Sequence, residues 1–186
     1  MSSLTLVLLR HAKAEQQGPP TQGDHGRPLA ERGVADARKA GATLAELGPV
    51  PDLVLCSTAV RTLQTWEAMV DGGSEVDQDR PESPGPLSKV EVWRDRRIYN
   101  ASPDALLQVL ADVPDEARVV AMVGHAPGIP ALVGSLLDPD DPSSATPDDF
   151  LSTFPTMTSV VLHSERAAGV PEPGSMALLR AYGSRG

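Results

Sequence analysis

The sequence contains few of the features that would assign it to several common classes of protein. A single cysteine, Cys56, excludes an internal disulfide and agrees with a reducing compartment. No apolar run approaches the roughly 18 residues of a membrane span. No Lys or Arg precedes the first apolar run, as one would in a signal peptide. We therefore expect a cytoplasmic protein without a membrane partner.

Basic charge is also scarce. The chain has 16 Lys and Arg residues against 25 Asp and Glu residues, which gives a formal net charge of −9. Nucleic acids and anionic membranes are bound through basic surfaces, so neither is an expected partner. An anionic substrate would have to be held by positive charge concentrated at one place.

The usual signatures of metal and cofactor sites are missing as well. The four histidines, His11, His25, His125 and His163, do not have the spacing of zinc ligands. The chain has no Walker loop and no Gly-x-Gly-x-x-Gly motif. We expect no metal and no cofactor.

The order of the hydrophobic patterns predicts an α/β fold. Short continuous apolar runs, typical of buried parallel strands, alternate with segments of helical periodicity. This alternation predicts a single domain over residues 1–186, with a three-layer α/β/α sandwich and a mostly parallel central sheet. Strands are predicted at 4–9, 52–56 and 118–123, an edge strand within 90–99, and a C-terminal antiparallel hairpin of 158–163 and 176–182. Four helices are predicted: one at 29–47, one at 59–70, one that begins at 103, and one that follows residues 126–128 and ends at 137. Loops are predicted at 16–28, 71–87 and 138–149.

Cationic side chains follow three of the predicted strands. Arg10 and His11 come directly after the first strand, Arg61 lies in the first turn of the helix after the second, and His125 follows the strand at 118–123. The carboxyl ends of parallel strands share one edge of a sheet, where such folds bind ligands. Gathering these groups is costly unless an anion lies between them. Because the guanidinium fork and a helix N-terminus both suit phosphate oxygens, the pattern predicts a phosphate site.

The same residues suggest a reaction. A neutral imidazole is a competent nucleophile toward phosphorus, so His11 is the candidate that forms a phosphohistidine. Arg10 and Arg61 would hold the equatorial oxygens, a protonated His125 would stabilise their charge, and water would then release phosphate. Lys13 and Arg27 are further candidates for substrate contacts, although each is as easily explained as a solvated surface charge.

Three motifs in this order resemble the signature of the histidine phosphatase superfamily, which has the phosphoglycerate mutase-like fold. They are Leu8–Ala12, Ser57–Thr65 and Val123–His125. The Arg-His-Ala-Lys-Ala form, the block Arg27–Gly33 and the short chain are similar to the SixA-type phosphohistidine phosphatases. The resemblance covers roughly residues 4–136. It implies a metal-independent phosphatase that acts on phosphohistidine in a protein.

The chain departs from the family pattern at three points. Ala12 stands where Gly is usual, and Thr58 stands where Pro is usual. Larger members of the family also supply a carboxylic acid after the third strand, but residues 97–102 contain no carboxylate. The missing acid favours a donor with an easy leaving group, such as phosphohistidine. Alternatively, Glu15, Asp24 or Asp95 could reach the pocket.

Other functions remain open from the sequence. One is a phosphomonoesterase or mutase of the same fold, acting on a small phosphorylated metabolite. Another is a non-catalytic module that binds phosphate or a phosphoprotein. Cys56 precedes Arg61 by a spacing one residue shorter than in the cysteine phosphatases, so a buried, inert thiol is the preferred interpretation.

Overall fold

Six strands form one sheet at the centre of the molecule. A computed structural model of the chain describes residues 3–75, 85–142, 150–165 and 169–183. The strands are β1 (Leu4–Arg10), β2 (Leu53–Ser57), β3 (Glu91–Asp95), β4 (Val119–Gly124), β5 (Ser159–Ser164) and β6 (Ala177–Tyr182). Their order across the sheet is β3-β2-β4-β1-β5-β6.

The sheet is parallel except at its C-terminal strands. β1 and β2 both pair in parallel with β4, and β3 pairs in parallel with β2 at the edge. β5 runs antiparallel to β1, and β6 runs antiparallel to β5. The predicted parallel sheet, edge strand and antiparallel hairpin are therefore confirmed. The carboxyl ends of β1, β2 and β4 lie along the same edge.

Helices cover both faces of this sheet. They are α1 (Glu31–Leu47), α2 (Val60–Ser74), α3 (Pro103–Leu110), α4 (Gly128–Leu136) and the short α5 (Phe150–Thr153). Alternate β1 residues point to opposite faces, so Val7 and Leu9 pack with α1 and α2, whereas Leu6 and Leu8 pack with α3 and α4. The three-layer arrangement is confirmed. Within the described ranges, no helix is long and apolar enough to cross a bilayer.

Local chemistry explains where several helices begin and end. α1 ends before Gly48 and Pro49, as expected of these two residues. The Ser102 hydroxyl accepts the Ala105 N–H, and Pro103 is the first residue of α3.

Two boundaries differ from the sequence-based prediction. Helix α2 continues to Ser74, four residues past its predicted end, because Gly72 and Gly73 lie buried on its packed face. The predicted loop 71–87 thus starts later, and residues 76–84 of it lie outside the described part. Residues 143–149 of the predicted acidic loop also lie outside it, and α5 follows them without having been predicted. The single-domain organisation stays a prediction.

Helices α1 and α2 approach each other closely through two glycines. A Cβ added to Gly41 would collide with the Met69 carbonyl, and one added to Gly72 would collide with the Arg38 carbonyl. Both obstacles are backbone atoms, which move only with their helix. Because α2 carries Arg61, this contact also determines where the guanidinium lies.

We expect Gly41→Ala to destabilise the protein by about 2 kcal/mol or more, since the added methyl group forces the helices apart. The midpoint of urea unfolding measures the change. Gly134→Ala, at an exposed position of α4, is the matched control, because the nearest atom to its Cβ is the side-chain atom Leu151 Cδ1 at 3.3 Å. There the better helix propensity of Ala should leave stability unchanged or raise it. Equal effects at the two sites would contradict the close packing.

Candidate active site

The structure brings three of the predicted site residues into contact at the carboxyl edge of the sheet. The Arg61 Nε lies 3.3 Å from His11 Nε2, and its Nη2 lies 3.3 Å from His125 Nδ1. The two imidazole centroids are 5.2 Å apart. The solvent-exposed fraction is 8% for His11, 2% for Arg61 and 4% for His125. We call these three residues the cationic cluster.

The hydrogen bonds of His11 identify its reactive nitrogen. Its Nδ1 lies 2.7 Å from the Ala12 carbonyl, which can only accept, so Nδ1 carries the proton. Its Nε2 therefore has a free lone pair and accepts from Arg61. Ala12 is itself held in place because its N–H donates to Thr65 Oγ1 at 3.0 Å. The ring thus presents an unprotonated nitrogen to the pocket.

His125 is fixed by two contacts. Its Nδ1 accepts from Arg61, and its Nε2 then donates to Ser57 Oγ at 2.9 Å. The Ser57 hydroxyl, at the end of β2, does not cap the helix that follows, since α2 has no side-chain cap. The hydroxyl orients His125 instead.

The surroundings of both histidines favour the neutral imidazole. Burial lowers the pKa of His11 to about 4, and the nearby Arg61, Arg10 and Arg27 charges act in the same direction. Burial, followed by the charges of His11 and Arg61, lowers the pKa of His125 to about 3. A protonated His125 therefore stays a prediction for the complex with substrate. A neutral His11 agrees with a nucleophile.

Arg10 is held beside the cluster by a segment near the C-terminus. Its side-chain Nη1 donates to the Phe154 carbonyl at 2.6 Å, and its backbone N–H donates to the Thr158 carbonyl at 2.9 Å. The Met157 N–H donates to the His11 carbonyl at 3.1 Å. We call residues 154–158 the clamp. The buried Arg10 Nε has no hydrogen-bond partner among the described residues.

The clamp has an unusual backbone. Phe154 and Met157 have φ values of 21° and 62°, in the left-handed region that non-glycine residues seldom adopt. Such conformations persist where the surroundings hold them in place. Here they bring the carbonyl and amide groups of the clamp to Arg10 and His11.

One carboxylate reaches the cluster. Asp24 accepts from Arg61 Nη2 at 3.0 Å through Oδ2, and the same oxygen accepts from the Tyr99 hydroxyl at 2.7 Å. Its backbone carbonyl accepts from Arg61 Nη1 at 2.7 Å, and its Oδ1 lies 2.8 Å from Arg27 Nε. The Tyr99 hydrogen bond is the main reason that its pKa falls to about 2, and Arg61 and Arg27 add to it. Asp24 is therefore an anion that occupies one side of Arg61.

The remaining candidates lie farther from the centre. Arg27 pairs with Asp24 and donates to the Glu15 carbonyl, so its charge is already partly used. Lys13 is exposed, and no partner for its side chain is found among the described residues. Glu15 is exposed, and Asp95 pairs with Arg97. Of the three carboxylates considered from the sequence, the structure brings Asp24 to the cluster.

Sequence reasoning missed two rings beside the cluster. The Tyr99 ring lies 5.3 Å from His125 and 4.9 Å from His25, measured between centroids. His25 Nε2 lies 3.0 Å from Thr58 Oγ1. The departure of Thr58 from the usual Pro could have pointed to this contact, because Pro has no hydroxyl.

Metal ligands do not gather here. In the part of the chain that the structure covers, no three His, Cys, Asp or Glu side chains lie close enough together to hold a metal ion. Cys56 is buried in β2, and burial raises the pKa of its thiol to about 12. The thiol is therefore not a nucleophile at neutral pH.

Comparisons with known proteins agree with this geometry. Residues 6–81 match the model of the histidine phosphatase superfamily (branch 1). An uncharacterised protein of Mycobacterium tuberculosis is 32% identical over 171 residues, which cover 92% of this chain and 96% of that protein. A structure from Nakamurella multipartitia, named as a proposed phosphohistidine phosphatase SixA, is 30% identical with a TM-score of 0.77 and covers 98% of this chain and 97% of that one.

This chain belongs to the histidine phosphatase superfamily. It is a phosphatase of SixA type. Its membership of this family supports catalysis without a metal ion. The fold is also that of phosphoglycerate mutases. The Plasmodium falciparum mutase has a TM-score of 0.59 at 12% identity, with coverage of 97% of this chain and 91% of that one.

The two lowered histidine pKa values predict how this phosphatase responds to acid. The unfolded chain takes up protons below pH about 6.5, whereas folded His11 and His125 resist protonation down to about 4 and about 3. The free energy of unfolding should therefore fall as the pH is lowered from about 6.5 to 4, on the order of 3 kcal/mol for each histidine. Asp24 contributes only below that window, as the pH falls from its ordinary pKa of 3.8 toward about 2.

Urea unfolding at pH 7 and pH 4.5 measures this difference. The double variant His11→Asn, His125→Asn should lose much less stability between the two pH values. An equal loss in wild type and variant would show that other groups cause it.

Removing the Asp24 carboxylate should strengthen phosphate binding. In Asp24→Asn, a negative charge 3.0 Å from Arg61 Nη2 disappears, so the guanidinium no longer divides its interaction between two anions. Because Asp24 is exposed to solvent, which screens its charge, we expect the affinity for phosphate to rise by about three- to tenfold at low salt. The inhibition constant of inorganic phosphate, a competitive inhibitor, measures this change.

Glu15→Gln is the control, because it removes one nearby negative charge without touching Arg61. It should change the inhibition constant little. An equal gain in phosphate affinity in Glu15→Gln would show that net charge alone causes the effect.

Proposed function

We propose that this phosphatase hydrolyses phosphohistidine in proteins, with His11 as the nucleophile. The observation that carries the proposal is geometric: Asp24, the candidate carboxylate that reaches the cationic cluster, accepts hydrogen bonds from Arg61 and from the Tyr99 hydroxyl, and both stabilise its ionised form. A carboxyl with a pKa of about 2 holds no proton to give to a leaving group at neutral pH. The substrate must then have a leaving group that departs without strong acid catalysis.

The arrangement of the cluster supports the first step. The lone pair of His11 Nε2 attacks phosphorus, and the P–N bond to the substrate imidazole breaks on the opposite side. Arg61 and His125 hold equatorial oxygens, and the guanidinium of Arg10, beside the cluster, adds positive charge. A phosphate dianion among these groups raises the pKa of His125, which favours its protonated form once substrate is bound.

The leaving group explains why no strong acid is needed. The second ring nitrogen of a phosphorylated imidazole can itself carry a proton, so the ring departs as neutral imidazole. The conjugate acid of imidazole has a pKa near 6.5, far below that of an alcohol. A sugar alkoxide would need a proton that Asp24 does not hold.

The second step returns the enzyme to its starting state. Water attacks the phosphorus of phosphorylated His11, Nε2 leaves, and the water proton passes to phosphate or solvent. The bond from Nδ1 to the Ala12 carbonyl keeps the ring in the same tautomer during both steps. The proposed activity of the Nakamurella multipartitia protein, which is 30% identical, supports the same substrate class.

Turnover of a phosphohistidine peptide tests the proposal. We expect wild type to release phosphate from this peptide with a kcat/KM at least tenfold above that for glucose 6-phosphate, and to form an acid-labile phosphoenzyme. His11→Asn should lower kcat by about 10⁴-fold or more and form no phosphoenzyme. His163→Gln is the matched control, because His163 contacts Thr5 Oγ1 on the other end of β1.

Each alternative function predicts a different result. A preference for glucose 6-phosphate would identify a phosphomonoesterase or mutase. Phosphate binding without turnover in wild type, unchanged in His11→Asn, would identify a non-catalytic binding module. A phosphoenzyme that persists in His11→Asn would assign the nucleophile to another residue.

A further inference from the structure

Four rings follow one another from the floor of the site to its rim. The centroid distances are 5.2 Å from His11 to His125, 5.3 Å from His125 to Tyr99 and 4.9 Å from Tyr99 to His25. The first two rings are buried, whereas Tyr99 and His25 are half-buried. We call Tyr99 and His25 the rim pair. We propose that the rim pair binds the planar ring of the leaving group, an inference that rests on the proposed hydrolysis of phosphohistidine.

The direction of the reaction places the leaving group at this rim. In-line displacement puts the leaving nitrogen on the side of phosphorus opposite His11 Nε2. His11 and Arg61 are buried, whereas Tyr99 and His25 are half-buried, so we place the leaving group toward the half-buried pair. The ring series extends from His125, beside the phosphate site, out to His25. A substrate imidazole leaving the phosphate therefore lies within reach of Tyr99 first and His25 next.

The rim pair is held in place before substrate binds. The Tyr99 hydroxyl donates to Asp24 Oδ2 at 2.7 Å, and His25 Nε2 is 3.0 Å from Thr58 Oγ1. The two rings meet edge to face at an interplanar angle of 66°. Asn100, directly after Tyr99, has a φ of 51°, which turns the chain there. Rings that are already fixed lose little conformational freedom on binding a planar partner.

Aromatic residues are scarce in this chain. The whole chain has two Tyr, two Trp and two Phe residues. Trp66 and Phe154 are buried in the core, where large rings contribute most to stability. Tyr99 instead leaves part of its ring accessible beside a phosphate site, next to a second accessible ring. Aromatic rings attract other planar rings through offset and edge-to-face contacts, and an imidazole is such a ring.

Two substrates with the same P–N bond test the proposal. A phosphohistidine peptide loses a planar ring, whereas phosphoramidate loses ammonia. Tyr99→Leu should lower kcat/KM for the peptide about three- to tenfold more than for phosphoramidate, mainly through KM. His25→Leu should act in the same direction. Phosphoramidate turnover by the same preparation shows that each variant is folded.

Matched variants separate the ring from its other contacts. Tyr99→Phe keeps the ring and removes the hydrogen bond to Asp24, so the ratio between the two substrates should stay within about twofold of wild type. Tyr182→Leu removes the other tyrosine, on β6, and should also leave the ratio unchanged. A ratio that falls in Tyr99→Phe as far as in Tyr99→Leu would assign the effect to Asp24 and overturn the proposal.

Two further outcomes decide whether the rim pair binds the ring of the leaving group. Equal loss on both substrates in Tyr99→Leu would mean that the rim pair only supports the loop and the phosphate pocket, which overturns the proposal. If wild type prefers phosphate monoesters, the proposed function fails, and phenyl phosphate against ethyl phosphate becomes the test of ring binding. A selective loss on phenyl phosphate would then still support ring binding, and an equal loss would overturn it.

Discussion

The buried guanidinium of Arg61 is the group on which the rest of the site depends. It donates to the lone pairs of both His11 and His125, and so fixes which nitrogen of each ring lacks a proton. A charge with 2% exposure is costly unless it is well partnered. Asp24 supplies that partner in this structure, and in the proposed reaction a phosphoryl group would share it. The Arg61 guanidinium therefore has a charged partner in the folded protein, and it also provides positive charge for an anion.

The position of Arg61 follows from packing remote from the pocket. It lies in the first turn of α2, and α2 is set against α1 by the close contacts of Gly41 and Gly72. The other members of the site sit at the ends of adjacent central strands, β1 and β4, which move little relative to each other. Site geometry thus depends on the parallel register of the sheet and on one helix contact.

Much of this arrangement could be predicted from local sequence. Apolar runs ending in Arg10-His11 and Gly124-His125 predict strands, and strand parallelism then brings their ends together. The sequence left Asp24 as one of three candidate carboxylates and did not predict the positions of His25 and Tyr99, because these depend on how a loop and a turn fold over the pocket. The clamp at 154–158 was missed for a similar reason. It acts through backbone groups in left-handed conformations, and such groups leave no side-chain signature in the sequence.

The location of β1 between β4 and β5 has a consequence for biosynthesis. Arg10 and His11 leave the ribosome long before β4 and β5, the strands with which β1 pairs. Contacts from Phe154, Met157 and Thr158 complete their surroundings. The segments through residue 164 must therefore emerge before Arg10 and His11 reach their positions. Translation that stops before the clamp yields a chain in which the pair has no fixed geometry.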